Sequence, residues 1–167
     1  MTTREEQIRT LYDLIKDHRI AMLTTRSLDG ERLLSRPLGT QEVEFDGDVW
    51  FATGLDSDKA REVQADPRVN VSYASEAKNS YVSLSGRASI VTDRAKIEQL
   101  WSPAMKVFFP GGKDDPDLCL IRVQVDGAEY WDGPGGMLGR AFYLTVAAIS
   151  GEPGALSENE TIDLSRR

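Results

Sequence analysis

The sequence of 167 residues contains only one cysteine, Cys119, and one histidine, His18. A single cysteine excludes an internal disulfide and is compatible with a reducing compartment. A histidine-containing zinc cluster or a Ser-His-Asp triad needs partners that this chain does not provide. His18 falls in the last turn of a predicted helix and Cys119 in an alternating apolar strand, so both are predicted to be structural.

Long apolar runs and an excess of positive charge are also absent. The apolar stretches are far shorter than the roughly 20 residues of a transmembrane helix. The polar start of the chain differs from the basic and then apolar pattern of a secretory signal. A net charge of -7 disfavours binding to the phosphate backbone of nucleic acid. We therefore expect a cytoplasmic protein with neither a membrane nor a nucleic-acid partner, although a few local cations could still hold a small anion.

The glycine motifs that bind nucleotide phosphates are missing as well. The sequence has neither Gly-x-Gly-x-x-Gly nor a phosphate loop that ends in Gly-Lys-Ser/Thr. The adjacent carboxylates Asp114 and Asp115 lie in a Gly/Pro loop, which is typical of solvated acids, and we predict no metal site. Any redox chemistry must therefore come from a bound cofactor.

What is present is the composition of one globular domain, with 40% hydrophobic and 28% charged residues. We predict a single domain over residues 1–150, followed by a loose polar tail over residues 151–167. Thr3 and Glu6 form a capping-box pair that begins a helix, which is predicted to reach about Arg19. Further helices are predicted over residues 58–65, 92–101 and 137–150, with a short helical turn over residues 105–109.

The strand pattern favours a mainly β protein with flanking helices. Strands are predicted over residues 20–25, 33–40, 43–45, 49–53, 69–74, 81–91, 118–125 and 128–132. Asp29-Gly30 and Asp46-Gly47 predict two hairpins, and the last two strands are predicted to pair with each other. Gly86 predicts a bend or bulge. This succession of hairpins indicates an antiparallel barrel or sandwich and excludes the alternating strand–helix order of a Rossmann fold.

One strand that runs into a capped helix forms a candidate phosphate site. The N-terminus of a helix offers free N–H groups and a partial positive charge. Thr53 and Ser57 add hydroxyls, Lys59 adds a full charge, and Arg36 from the neighbouring strand could add a charged fork. Taken alone, these residues equally fit a plain helix cap at Ser57 and a surface lysine at Lys59.

The order and spacing of several motifs resemble those of the FMN-binding split-barrel family, the pyridoxamine-phosphate-oxidase-like proteins. Within that family the chain is similar to the bacterial general stress protein branch. The matching motifs are Arg36-Pro37, Trp50-Phe51, Ser57-Asp58-Lys59, Asp66-Pro67-Arg68-Val69, Trp101, Phe109-Pro110-Gly111-Gly112, Asp114-Asp115-Pro116-Asp117 and Tyr130-Trp131. The resemblance implies a six-stranded antiparallel split β-barrel that forms a homodimer with two flavins between the subunits.

The resemblance also assigns roles along the flavin. Ser35, Arg36 and Pro37 would line the isoalloxazine ring and reach towards the phosphate. Ala52 and Thr53 would lie along the flavin tail. A single phosphate site fits FMN more simply than FAD.

At the two ends of the flavin, the resemblance assigns four further residues. Ser57 and Lys59 would bind the phosphate, Tyr81 would contact the flavin from the partner subunit, and Trp131 would pack beside the ring. Core or interface packing remains an alternative for Tyr81 and Trp131.

The sequence departs from the oxidase pattern at two places, and these departures reduce the number of functions that the resemblance allows. The oxidase carries an arginine-histidine pair after its late tryptophan, whereas Trp131 is followed by Asp132 and a glycine-rich turn, so we do not expect oxidation of vitamin B6. Asp58 also stands where the oxidase has a basic residue, which reduces the local positive potential. Three hypotheses remain: a flavin-binding stress protein with little or no turnover, an oxidoreductase that uses NAD(P)H or oxygen on a small organic substrate, and a flavin-free dimeric module.

Overall fold

One antiparallel sheet organises the computed structural model, which describes residues 3–41, 43, 45–133 and 158–164. Its strands run in the order β2-β1-β4-β5-β6-β3, and β7 pairs with β6 off this path. Their bounds are β1 Ile20–Arg26, β2 Leu33–Gly39, β3 Asp48–Gly54, β4 Arg68–Ser75, β5 Ser80–Val91, β6 Leu118–Asp132 and β7 Glu158–Asp163.

The sheet is curled into a split barrel around its longest strand. Along its length β6 pairs with β5 on one side, while on the other side it pairs first with β3 and then with β7. The end strands β2 and β3 approach each other, but no ladder joins them in the described part of the chain. The six-strand path confirms the predicted fold class, and β7 is an additional strand.

Alternating side chains divide the sheet into an interior and an outer face. The barrel interior carries Leu23, Val71 and Leu84, which are fully buried and belong to the main core. The outer face carries Met22 and Tyr81, which are 38% and 39% exposed. A second apolar cluster covers the other end of the sheet and is formed by Ile97, Leu100, Met105, Phe109, Leu118 and Leu120.

Within the part of the chain that the structure describes, three α-helices flank the sheet: α1 Arg4–Ile15, α2 Asp58–Ala65 and α3 Arg94–Leu100. Thr3 and Glu6 form the predicted capping box, but α1 ends four residues earlier than predicted. Asp93 caps α3 in place of the predicted Thr92. Two 3-10 turns follow, at Pro103–Val107 and Gly112–Asp114. No helix within the described residues is both long and apolar enough to cross a membrane.

The pairing of three segments differs from the prediction. Residues 43 and 45 lie outside any strand, and β3 pairs with β6 instead of forming a hairpin at Asp46-Gly47. Residues 118–125 and 128–132 form one continuous strand, because both halves pair with β5 and the predicted irregularity at Gly86 absorbs the extra residue.

The polar tail is also partly structured. Residues 158–163 pair with residues 127–132 of β6, which contradicts the expectation of a loose tail for this stretch. Ile162 of this strand and Leu164 directly after it are buried in the main core, but two apolar residues in a polar stretch form too short a pattern to predict a strand from composition. The predicted helix over residues 137–150 lies outside the described residues.

Candidate functional site

The N-terminus of α2 brings two predicted hydroxyls together. Ser57 is the N-cap, and its Oγ accepts a hydrogen bond from the Ala60 backbone N–H at 3.3 Å. β3 delivers Thr53, whose Oγ1 lies 3.2 Å from Ser57 Oγ. The N–H groups of Asp58 and Lys59 lie in the first helical turn and therefore lack intrahelical acceptors. This end of α2 thus presents hydroxyls, free N–H donors and the positive end of the helix dipole.

The charges around this helix end are mixed. Lys59 is half-buried, and its ammonium makes no ion pair or hydrogen bond within residues 3–41, 43, 45–133 and 158–164. Three carboxylates lie nearby. Asp117 accepts from the Asp56 backbone N–H at 3.3 Å, and Asp58 lies 3.4 Å from the Arg61 guanidinium. Of the two cations in the first turns of α2, Arg61 is paired with Asp58, whereas Lys59 keeps its charge free for a ligand.

Arg36 points into the barrel interior and is held there by α2. Its Nη1 donates to Glu62 Oε2 at 2.8 Å and to Thr25 Oγ1 at 3.0 Å. Thr25 Oγ1 itself donates to the same Glu62 oxygen at 2.6 Å. The side chains of Arg36 and Glu62 are 22% and 5% exposed, so this is a largely buried ion pair.

Neither Thr25 nor Glu62 was predicted from the sequence as a partner of Arg36. The alternation of Ala21, Leu23 and Thr25 in β1 could have placed the threonine hydroxyl inside the barrel. Glu62 carried a weaker signal, since it follows the buried Ala60 by two residues and a charged residue on a short helix is normally exposed.

The strand geometry separates residues that the sequence places side by side. Ser35 and Pro37 lie on the outer face, where Ser35 Oγ is 2.6 Å from Thr24 Oγ1 and Pro37 pairs with Met22. Their neighbour Arg36 faces the interior. These three predicted flavin contacts therefore belong to two different surfaces of the edge strand β2.

β3 makes the same division between its two predicted residues. Ala52 is half-buried and packs against the second apolar cluster, whereas Thr53 is buried on the opposite face. Thr53 alone of this pair lies beside Ser57.

An apolar hollow lies on the outer face at the far end of the sheet. It has a volume of about 500 Å³ and is lined by Ile20, Met22, Ser72, Tyr73, Ala74, Tyr81, Val82, Ser83 and Trp131. Tyr81 and Trp131 are directly opposite each other on β5 and β6 and are 39% and 37% exposed. Both predicted aromatic residues therefore line a surface hollow and do not belong to the core.

The two groups of predicted residues lie at opposite ends of β6. Thr53 pairs with Cys119 near the beginning of the strand, and Tyr81 pairs with Trp131 near its end. The twelve residue steps from Cys119 to Trp131 correspond to about 40 Å of extended strand. A single flavin cannot follow that path, so one chain presents the two groups as separate surfaces.

Neither Cys119 nor His18 forms part of a catalytic group in the structure. Cys119 is fully buried, and its burial raises the pKa of the thiol to about 11, as expected of a core residue. His18 lies beyond the end of α1, in edge contact with the Tyr73 ring at a centroid distance of 5.5 Å. No group of metal-ligating side chains occurs among the residues that the structure describes.

Comparison with known proteins establishes the family. The model of the family described as pyridoxamine 5'-phosphate oxidase like matches residues 6–154. The chain belongs to this family. That assignment confirms the resemblance inferred from the sequence motifs.

Two of the solved structures to which the chain is similar have general stress protein names. The general stress FMN/FAD binding protein of Xanthomonas citri is 32% identical, with 78% of this chain and 90% of that chain covered and a TM-score of 0.64. A candidate general stress protein 26 from Jannaschia sp. CCS1 is 25% identical, with 96% and 99% covered and a TM-score of 0.75. Protein bli-3 of Neurospora crassa is 28% identical over 163 residues, which cover 92% of this chain and 78% of bli-3.

Proposed function

We propose that this chain is a cytoplasmic FMN-binding protein of the general stress protein type, with the flavin at the seam of a homodimer. The observation that carries the proposal is the helix end where Thr53 and Ser57 hydroxyls lie 3.2 Å apart beside Lys59. The family assignment and the name of the Xanthomonas citri relative support the choice of a flavin.

The residues at this helix end fit a phosphate monoester. Two hydroxyls and the free N–H groups of the first turn of α2 can donate hydrogen bonds, and Lys59 supplies an uncommitted positive charge. One such site favours FMN over FAD, which would require a second phosphate to be held. The nearby carboxylates Asp56, Asp58 and Asp117 oppose this charge and limit the affinity.

Arg36 can contribute to the same site without leaving its ion pair. Its Nη1 is occupied by Glu62 and Thr25. Its Nε and Nη2 have no hydrogen-bond partner in the part of the chain that the structure describes. In the proposed complex Glu62 holds the guanidinium in place, while the remaining donors face the phosphate.

The ring end of the flavin requires a second copy of the chain. Tyr81 and Trp131 line an apolar hollow that suits an aromatic ring, but it lies at the other end of β6 from the phosphate site. A homodimer can bring the phosphate site of one copy to the hollow of the other. When bound, the isoalloxazine ring supplies electron-transfer chemistry, and the chain binds and orients it.

The visible absorption spectrum of freshly purified protein tests flavin binding, with mass identification of any released ligand. Lys59→Ala should weaken FMN binding by about tenfold or more, because one charge-assisted contact is lost. Lys106→Ala is the control for the loss of a lysine charge, since Lys106 is an exposed lysine on the 3-10 turn Pro103–Val107. A Lys59→Ala protein that binds FMN with the affinity of the parent would show that the flavin phosphate does not bind at this helix end.

Anaerobic addition of NADPH separates the flavin-binding stress protein from an oxidoreductase. The proposed function predicts little bleaching of the bound flavin, whereas rapid bleaching would favour the oxidoreductase. A colourless protein that takes up no FMN in excess would instead identify a flavin-free module.

Sedimentation of two matched variants tests the dimer seam. Trp131→Glu places a charge in the outer hollow and should shift the dimer towards monomer. Leu28→Glu makes the same change at a 58% exposed hairpin residue and should leave the dimer intact. Equal behaviour of the two variants would show that the hollow does not lie at a dimer seam.

A further inference from the structure

A row of arginines crosses three adjacent strands on the outer face. Arg68 of β4 pairs directly with Arg87 of β5. Arg26 of β1 lies beside Arg68, because both contact Asp66: Arg68 Nη2 is 2.6 Å and Arg26 Nη1 3.7 Å from the same Asp66 oxygen. Like charges on directly opposite residues destabilise a sheet, so this row needs negative charge to balance it.

The described part of the chain supplies little negative charge for this row. Among the described residues, Asp66 is the one carboxylate paired with Arg26 and Arg68, and Arg68 takes both of its oxygens. Arg87 is exposed and has no acidic partner within the described ranges. Arg32 on the adjoining hairpin is 72% exposed and lies 3.8 Å from Asp29, which is a weak pair.

A hollow of about 410 Å³ lies against this row. Its lining includes Arg26, Arg32 and Arg68, with Gly30 and Leu33 as neutral residues. Two carboxylates, Glu31 and Asp66, also line it. The lining therefore carries three arginines and two carboxylates, a balance of +1 in a chain whose net charge is -7. Beside the hollow, Arg87 pairs with Arg68 and Asp29 with Arg32, which leaves this balance unchanged.

We propose that this hollow binds the phosphate group of a small phosphorylated molecule. Guanidinium groups present paired N–H donors that match phosphate oxygens, and a cluster of them on a negative protein attracts anions locally. The hollow is larger than one phosphate group, which leaves room for the organic part of the ligand. Leu33, 76% exposed, offers an apolar contact for that part.

This site is separate from the proposed flavin phosphate site. Asp66 caps the C-terminal end of α2, whereas Ser57 caps the N-terminal end. The eight residues between them span about 12 Å, and the arginine row lies on the outer face of the sheet. The proposal therefore does not depend on flavin binding.

Calorimetric titration of the full chain with inorganic pyrophosphate in low-salt buffer tests the site. The parent protein should bind at least one pyrophosphate per chain, and the arginine variants assign that binding to the hollow and not to the helix end beside Lys59. The double variant Arg32→Gln, Arg87→Gln should bind about tenfold more weakly or worse, because one charged donor that lines the hollow and one positive charge beside it are lost. Arg9→Gln, an exposed arginine on α1, is the control and should bind as the parent does.

Asp66→Asn should change the affinity for pyrophosphate in the opposite direction, towards tighter binding. The amide oxygen can still accept a hydrogen bond from the Arg68 backbone N–H, while the competing negative charge is removed. Pyrophosphate should therefore bind several-fold more tightly than to the parent.

Two outcomes would overturn the proposal. The first is that the parent protein does not bind pyrophosphate, and a change of oligomeric state in the double variant would then assign the row to a contact between copies. The second is that Arg9→Gln weakens binding as much as the double variant. The flavin spectrum of the same variants should be unchanged, which distinguishes this test from that of the proposed function.

Discussion

Arg36 of the edge strand β2 and Glu62 of α2 form a largely buried ion pair, with Nη1 2.8 Å from Oε2. The pair is completed by Thr25, which donates to the same carboxylate oxygen. A strand at the open side of the barrel is thereby tied to the helix whose N-terminus forms the candidate phosphate site. The stability of the fold and the candidate site therefore depend on the same contact.

Glu62→Gln should destabilise the fold by about 2 kcal/mol, because the Arg36 guanidinium keeps its charge in a partly buried position without a counter-charge. Urea unfolding at neutral pH measures the change. Glu5→Gln, at an exposed position of α1, should cost less than about 0.5 kcal/mol. If the two variants lose equal stability, the ion pair does not stabilise the fold.

Ser57→Asp should separate folding from phosphate binding. Asp is as good an N-cap as Ser, so the free energy of unfolding should change by less than about 0.5 kcal/mol. A carboxylate beside the phosphate should weaken FMN binding by about tenfold or more. Ser57→Ala should instead cost about 1 kcal/mol of stability through loss of the cap. Normal FMN affinity in a folded Ser57→Asp protein would place the phosphate elsewhere.

The buried Cys119 thiol should make stability fall at high pH. Burial raises its pKa from the ordinary 9.0 to about 11, with Asp117 acting in the same direction and Lys59 in the opposite one. The folded state keeps the proton at a pH where the unfolded chain loses it. This stabilising contribution is therefore complete below pH 9 and is lost as the pH rises towards 11.

Urea unfolding across this range should show a loss of roughly 1–3 kcal/mol from this group. Cys119→Ala is the control, because it lacks the titrating thiol and should lose less stability over the same range. Parallel pH profiles of the two proteins would contradict the prediction.

Gly86→Ala should be strongly destabilising. A Cβ at Gly86 would collide with the backbone carbonyl of Gln124 on β6, where the ladder shifts register. The expected cost is about 2 kcal/mol or more, since backbone atoms of a central strand must move. Thermal unfolding measures it. Gly39→Ala is the matched control, because a Cβ there meets no atom within 4 Å, and it should leave the melting temperature nearly unchanged.

Local signals predicted much of the secondary structure. Asp29-Gly30 forms the predicted hairpin, with Gly30 at φ +74°, a backbone region that glycine adopts without strain. Ser57 and Pro67 bracket α2 as expected, because capping and the loss of a backbone donor act within a few residues. Sequence motifs with this order and spacing were also sufficient to predict the family.

The sequence by itself therefore determined most of the elements, the family and the residue types available for a phosphate. Only the tertiary structure decided that β3 pairs with β6, that Arg36 is held by Glu62, and that the Arg36 face of β2 is the one turned to the barrel interior. The physical reason is the separation along the chain over which each interaction acts. Turn, cap and alternation preferences act between neighbouring residues, whereas ladder register and ion pairing depend on segments that only folding brings together.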